Sequence, residues 1–288
     1  MKIDLHIHSK SSDGKMDVQD IFKEAKDRNI DFIAITDHDS IACQAQAIEE
    51  SKRSGIDYLT GVELNIAFSH PKFLNGKTVS LDLLGYQFDS KNKALSSKLE
   101  TMANYREERA AKILNNLNAE FRKENIGELT KADLCQIEET VDGSIGRPHI
   151  ADYLVKKNIV KSRQDAFDKY LVKCDVPKFQ LYLEEAAKLI KDAGGKLVIA
   201  HPNDPHGTSL SALTNVLTEQ TQIIAEKMLT FIDGVECWHS RHTLETTKHY
   251  VAFAKEYGLI MTGGSDCHQK PIVMGTVDVP SWVRKQFS

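Results

Sequence analysis

His6, His8 and Asp13, followed by the run Thr36-Asp37-His38-Asp39, put imidazoles and carboxylates at the ends of the first two predicted strands. Lys2 to His8 alternates, with Ile3, Leu5 and Ile7 on one face and Asp4, His6 and His8 on the other, so both imidazoles share a side. Imidazole and carboxylate together suit Zn, Mn or Fe, and two histidines two residues apart on a strand can converge on one ion. Alone, the pair is weak evidence and reads better as two solvated histidines near a terminus. The rest of the chain completes a coordination sphere. A strand over 57–66 carries Glu63, Lys196 to Ala200 delivers His201-Pro202, and Leu259 to Thr262 turns through Gly263-Gly264 into Ser265-Asp266-Cys267-His268. Polar residues set repeatedly just past strand carboxyl ends are what an α/β barrel site requires, because the strand tips face one crevice.

The positioning elements follow from periodicity. Val18, Ile21, Phe22 and Ala25 recur at helical spacing between the first two strands, and Ile41 to Ser54 supplies a helix after the second. That βα rhythm implies a mostly parallel sheet, closed into a barrel or covered on both faces. It breaks near Asp89. Lys91 to about Lys188 reads as charged helical runs such as Leu99 to Asn118 with an apolar cluster from Ile150 to Leu171, an expected helical insertion capping the barrel mouth. The rhythm resumes with Lys196 to Ala200, Phe231 to Cys237 and Leu259 to Thr262, with helices over 209–229 and 243–257 between them. The expected domains are 1–88 with 190–288, and the insertion 89–189.

Composition sets limits. The 288 residues accommodate one barrel-sized domain with an insertion. A net charge of −4 gives no footprint for a long nucleic-acid duplex, while a short anion held by metals remains compatible. Five cysteines without paired spacing argue for a reducing compartment, and the histidines at the start stand where a signal peptide needs an apolar run. With no stretch of membrane-spanning length, the cytoplasm is the expected location and no membrane partner is expected. Composition leaves the oligomeric state open.

As an ordered set, H-I-H with S-S-D-G after it, T-D-H-D at 36–39, G-V-E at 61–63, A-H-P at 200–202 and G-S-D-C-H at 264–268 resemble the PHP (polymerase and histidinol phosphatase) family of metal-dependent phosphoesterases. The resemblance spans the chain and implies a distorted (β/α)7 barrel of the α/β class. Carried over by position, the metal ligands are His6, His8, Asp13, His38, Glu63, His201, Asp266 and His268. The family usually carries a histidine where Asp82 stands before Leu83-Leu84-Gly85-Tyr86; a carboxylate can still ligate, shifting preference away from Zn. His70, across an Asn75-Gly76 turn, is the weaker substitute. The resemblance further implies two or three divalent ions (Mn, Fe or Zn): one on His6, His8, Glu63 and Asp266, a second on Glu63, Asp82 and His201, a third on Asp13, His38 and His268. Ions sharing a carboxylate can lower the pKa of a shared water.

Gly146-Arg147-Pro148-His149-Ile150-Ala151 resembles an element of the small phosphoesterase branch of that family, in which Arg147 and His149 would approach the substrate phosphate. A guanidinium fork matches phosphate oxygens and a nearby imidazole can donate a proton. After the strand 231–237, Arg241 and His242 are candidates for phosphate or leaving-group contacts, and His149 or His242 for protonating the leaving group. Thr243 reads as an N-cap with an incomplete capping box, Trp238 as a stacking or packing residue, and His239 as either a site residue or a surface histidine. Asp37 reads as a carboxylate orienting a metal-bound histidine. Cys267 points away from the site by alternation, and Arg106 to Arg109 reads as a solvated helix face. The implied activity is hydrolysis of a phosphoester in a nucleotide, such as a nucleoside 3′,5′-bisphosphate, or in short RNA. The alternatives are a histidinol-phosphate-type phosphatase and a non-catalytic metal-binding PHP interaction module.

Overall fold

The computed structural model describes residues 1–138, 147–269 and 271–287. The chain divides into two compact units, Met1–Leu99 with Gln180–Ser288, and Glu100–Phe179. In the first, seven strands form one sheet in sequence order: β1 (Ile3–Ile7), β2 (Phe32–Ile35), β3 (Asp57–Phe68), β4 (Val79–Tyr86), β5 (Lys196–Ile199), β6 (Gly234–His239) and β7 (Ile260–Gly264). A parallel bridge between Ile7 and Cys267, with His8 N–H donating to Cys267 O at 3.0 Å, brings the last edge against the first, so the sheet nearly closes into a distorted α/β barrel.

Pairing is parallel from β1 to β3 and from β5 to β7, but β4 runs antiparallel to both neighbours. The cause is local. Only ten residues separate β3 from β4, too few for the helical crossover that a parallel pair needs. Asn75 and Gly76, both at positive φ, turn the chain between them as the sequence predicts. The reversal sets the first half of β4, including Asp82, beside the carboxyl end of β3, with Asp82 paired to Asn65.

Helices α1 (Val18–Asp27) and α2 (Gln44–Ser54) follow β1 and β2; Val18, Ile21, Phe22 and Ala25 bury the predicted apolar stripe, and Asp17 caps α1 by accepting from Asp20 N–H. Their cluster includes Ile7, Ile33 and Ile35, whereas Ile3 and Leu5 join Phe32, Ala34, Leu84, Tyr86 and Val198. Tyr86 Oη donates to Leu5 O at 2.7 Å, fixing the one polar atom of that large buried ring.

The long helix α3 (Lys93–Lys123) leaves the barrel unit at Leu99. The second unit contains its remainder with α4 (Lys131–Glu138), α5 (Arg147–Lys156), α6 (Arg163–Ala166) and a π turn at Phe167–Leu171, around Ile113, Leu117, Phe121, Ile137, Leu154 and Leu171. Helices α7 (Leu183–Asp192), α8 (Leu217–Lys227) and α9 (Leu244–Glu256) belong to the barrel. The sequence reading draws the insertion at 89–189; the compact units divide at 99/100 and 179/180, since α7 packs on β3 and β5. Arg109, expected in solvent, is buried within the helical unit, donating to Val176 O at 2.6 Å and pairing with Asp175. Among the described residues no helix is long and apolar enough to cross a membrane.

Candidate metal centre

His6, Glu63 and Asp82 lie within β1, β3 and β4, and the other predicted ligands reach the site on loops past strand ends. The loop from β7 can pass close to β1 only because residue 264 is glycine: a Cβ there would stand 2.3 Å from His6 N. The buried Asp4 carboxylate ties the same strands, accepting from Ser265 N–H at 2.9 Å and Gly275 N–H at 2.7 Å.

Glu63 is fully buried at the centre. Its Oε2 lies 3.3 Å from His6 Nε2, 3.2 Å from His8 Nε2 and 3.2 Å from His38 Nδ1, and Oε1 lies 2.9 Å from His201 Nε2. Asp266 Oδ1 lies 3.4 Å from His6 Nε2 and 3.3 Å from His8 Nε2. On the other side of His8, Asp13 Oδ1 is 3.4 Å from His8 Nδ1 and 3.3 Å from His268 Nε2, and Asp13 Oδ2 is 3.5 Å from His38 Nε2. Asp82 Oδ2 is 4.0 Å from His201 Nε2, and Asn65 Nδ2 donates to Asp82 Oδ1 at 2.7 Å. All nine predicted ligands therefore come together. Side-chain exposure grades from zero at His6, His8 and Glu63 to 34% at Asp13 and His38, which places the open side of the cluster at Asp13, His38 and His268.

These separations fit ions. Ligand atoms about 2.0–2.2 Å from a tetrahedrally coordinated ion stand about 3.3–3.6 Å apart, longer than a good hydrogen bond. The nitrogen–oxygen distances around His6, His8, Asp13, Asp266 and His268 fall in or next to that range. Both ring nitrogens of His8 are buried without a hydrogen-bond partner although each faces a carboxylate, an arrangement costly for an imidazole unless something electron-poor lies between them.

Electrostatics agrees. Burial works against the charge on Glu63, yet His38, His6 and His201 hold its carboxyl well below the usual range. Burial likewise opposes protonation of His6 and His201, but Glu236 and Glu63 raise the first well above the usual value, and Glu63 raises the second to about 9. Burial and then the Glu63 charge push Asp82 well up, as two neighbouring buried carboxylates without a cation require.

A family model for the PHP domain matches residues 4–196. The chain belongs to the PHP family. It is 28% identical to the 3′,5′-nucleoside bisphosphate phosphatase of Chromobacterium violaceum over 279 residues, covering 92% of this chain and 87% of that one. To the 5′-3′ exoribonuclease Rnm of Escherichia coli it is 29% identical over 272 residues, covering 92% and 85%. A crystal structure from Bifidobacterium adolescentis, described as a candidate metal-dependent phosphoesterase, superposes with a TM-score of 0.71 at 28% identity, covering 99% of this chain and 94% of that one. The histidine and carboxylate clusters of this PHP domain are candidate metal sites.

One residue of the PHP site, Glu236, escapes the sequence reading, and another, His239, is left open by it. Glu236, fully buried on β6, has Oε1 3.0 Å from His6 Nδ1 and accepts from His201 N–H on Oε2 at 2.7 Å, so one carboxylate orients two of the predicted ligands. His239, left open above, is buried, with Nε2 3.4 Å from Asp266 Oδ2. The signal was an acid inside an otherwise apolar strand. Asp37 has a different role from the one expected: its oxygens accept from Ser9 N–H at 2.7 Å, Ser9 Oγ at 2.6 Å and Ser12 Oγ at 2.7 Å, so it shapes the loop that carries Asp13 and binds no histidine ring through these contacts.

The substrate candidates separate. His242 Nδ1 donates to Cys237 O at 3.1 Å, leaving a buried Nε2 lone pair; burial, then His239, lowers its pKa to about 4. At neutral pH it accepts hydrogen bonds and has no proton on Nε2 to give, contrary to the proton-donor role expected for it. Arg241 is half exposed and anchored by the buried Asp204 at 2.5 Å. Within the helical unit, Arg147 pairs with Asp175 at 2.7 Å and lies over the Phe167 ring, and His149 is pushed down by burial. Gly146 lies outside the described residues. Cys267 packs with Ile7 and Met274, away from the carboxylates, and Trp238 sits edge-on to Trp282, a packing role. His70 instead lies 3.4 Å from Glu226.

Proposed function

We propose that this PHP protein is a metal-dependent phosphoester hydrolase acting on a small phosphorylated substrate: a nucleotide such as a nucleoside 3′,5′-bisphosphate, or short RNA. The observation that carries the reading is Glu63, a fully buried carboxylate with four imidazoles around it, flanked by Asp266, Asp82 and Asp13 at ion-ligand separations. His6, His8, Glu63 and Asp266 would hold one ion, Glu63, Asp82 and His201 a second, and Asp13, His38 and His268 a third. Bound divalent ions supply a water of lowered pKa and neutralise charge on phosphoryl oxygens.

The chain's own groups do the rest. Glu236 fixes the His6 ring, and Asp37 holds the loop of Asp13 at the open edge, where a phosphate would enter. Arg147 and Arg241 would meet phosphate oxygens with guanidinium forks, each already steadied by a carboxylate, Asp175 and Asp204 respectively. His242 would accept a substrate N–H or O–H, and His149 is the remaining candidate to hold the leaving-group proton. The bisphosphate or RNA substrate draws its support from the relatives named above and from the Gly146–Ala151 segment.

A phosphate-release screen over sugar phosphates, nucleotides, nucleoside bisphosphates and short 5′-phosphorylated RNAs, with Mn, Fe and Zn supplied separately, tests the reading. The expected ranking puts bisphosphates or short RNA first. Histidinol phosphate as preferred substrate would redirect it, and no hydrolysis of any substrate with metals bound would leave a binding module.

A further inference from the structure

Hydrogen-bond partners sort the histidines of the cluster by tautomer. A neutral imidazole donates from one nitrogen and accepts at the other, so a partner of known character at one settles both. Glu236 Oε1 faces His6 Nδ1 at 3.0 Å, and Asp266 O faces His268 Nδ1 at 3.0 Å. Both oxygens only accept, so each ring keeps a proton on Nδ1, and Nε2, facing Glu63 and Asp266 or facing Asp13, is the nitrogen left to meet an ion. His239 is reversed. Its Nδ1 accepts from the backbone N–H of Arg241 at 3.3 Å, so the proton must sit on the buried Nε2.

Among the described residues, that Nε2–H has no hydrogen bond of good geometry, and Asp266 Oδ2 is the carboxylate oxygen facing it. Glu236 is already engaged at both oxygens, by His6 Nδ1 and by His201 N–H. Asp266 Oδ2 lies 3.4 Å away, while Oδ1 of the same carboxylate faces His6 and His8. For Nε2 to ligate an ion, the ring would have to become an imidazolate or to set an Nδ1–H against the Arg241 N–H. We infer that His239 is a positioning residue and not a ligand: its Nε2–H holds Asp266 Oδ2, so that Oδ1 is aimed at the ion shared with His6 and His8. Asp266 stands at φ 56°, a strained backbone for a non-glycine residue, and a second anchor on its side chain keeps the carboxylate in register.

The inference rests on the metal centre proposed above, and the test separates the two. Ring-nitrogen NMR of the uniformly ¹⁵N-labelled full-length protein, metal-free and after titration with Zn²⁺, is read beside Zn²⁺ affinity and stoichiometry for wild type, His239→Gln and His239→Ala. The expected result is a protonated Nε2 on His239 in both states and unchanged stoichiometry throughout. His239→Ala should weaken Zn²⁺ binding about ten- to a hundredfold, the usual effect of losing a partner of a ligand, and His239→Gln, which keeps an N–H donor, should recover most of it. Loss of the Nε2 proton on adding Zn²⁺, or loss of one equivalent of Zn²⁺ in His239→Gln, would make His239 a ligand and overturn the inference. A protonated Nδ1 in the metal-free protein would overturn it too. A wild type that takes up no Zn²⁺ or Mn²⁺ would instead defeat the metal centre, with the tautomer still decided by the metal-free spectrum.

Discussion

Replacing Glu63 with Gln alters the residue on which two of the proposed ion sites depend. The change keeps shape and removes one charge. In the metal-free protein the carboxylate faces imidazole nitrogens of His6, His8, His38 and His201 at 2.9–3.3 Å. An imidazolium and a carboxylate about 4 Å apart interact by roughly 4 kcal/mol at an effective dielectric constant near 20, before desolvation is counted. His201, raised to about 9 chiefly by Glu63 against its burial, should therefore titrate at least one unit lower in the variant. With metal, an amide replaces a shared carboxylate at two ions. Losing a mere hydrogen-bond partner of a ligand costs ten- to a hundredfold in affinity, so losing the ligand's charge should cost at least a hundredfold at each ion, about 2.7 kcal/mol.

Elemental analysis of the purified variant, an NMR titration of His201 without metal and phosphate-release kinetics on one preparation make the measurement. Glu236→Gln is the control, since it leaves every proposed ligand in place and disturbs only the contacts that orient His6 and His201; weaker binding at their two ions, smaller than the loss in Glu63→Gln, is expected. A Glu63→Gln protein with a full complement of metal and wild-type kcat/KM would refute the reasoning from Glu63 outward.

The remaining expectations are narrower. Metal-free stability should fall between pH 6.5 and pH 4: His242 has a folded pKa near 4 against 6.5 unfolded, so in that window the unfolded chain binds the extra proton, a loss of about 3 kcal/mol that His242→Asn should largely remove in pH-dependent thermal melts. Asp82→His, exchanging an oxygen donor for nitrogen beside His201, should shift competition between Mn²⁺ and Zn²⁺ toward Zn²⁺; an unchanged preference in a two-metal competition would remove Asp82 from the site. Arg147→Ala should leave metal content intact and lower kcat/KM about ten- to a hundredfold, the effect of one lost charge-assisted contact. Full activity on every phosphorylated substrate would detach Arg147 from catalysis.

Much of the barrel was legible because its signals are local. The helical stripe of Val18, Ile21, Phe22 and Ala25, the apolar strand 32–35 and the two glycines before Ser265 each dictate an element within a few residues. The ligands were legible because they follow those strands. Asp82 was harder to place, since its position depends on β4 running backwards after a ten-residue connection. A mostly parallel rhythm would have put Asp82 mid-strand and away from the tips; the reversal brings it beside Asn65 and Glu63. Arg109 misled for another reason. A basic run on a helix reads as solvated, and only the approach of Asp175 and Val176, distant in sequence, buries it.

Glu236 was missed and His239 left open because the sheet abandons strict alternation where it builds the site. Between positions 236 and 238 the register of β6 against β7 slips, and a similar slip between positions 4 and 7 separates β1 from β2. A bulge inserts a residue into the count, so Glu236 and His239, assigned to opposite faces by period two, both come to lie beside the His6 ring. The loops beyond bend further: His201 and Asp266 both adopt positive φ, a conformation costing about 1–3 kcal/mol each in non-glycine residues. Each is held by a hydrogen bond from its own N–H, His201 to Glu236 Oε2 at 2.7 Å and Asp266 to His6 O at 2.8 Å. The strain thus falls on two of the residues that must converge, and its restraints come from β6 and β1, the two strands that slip. Propensity and periodicity describe the unstrained chain, so they identify the strands that carry this site and lose their resolution at the residues that complete it.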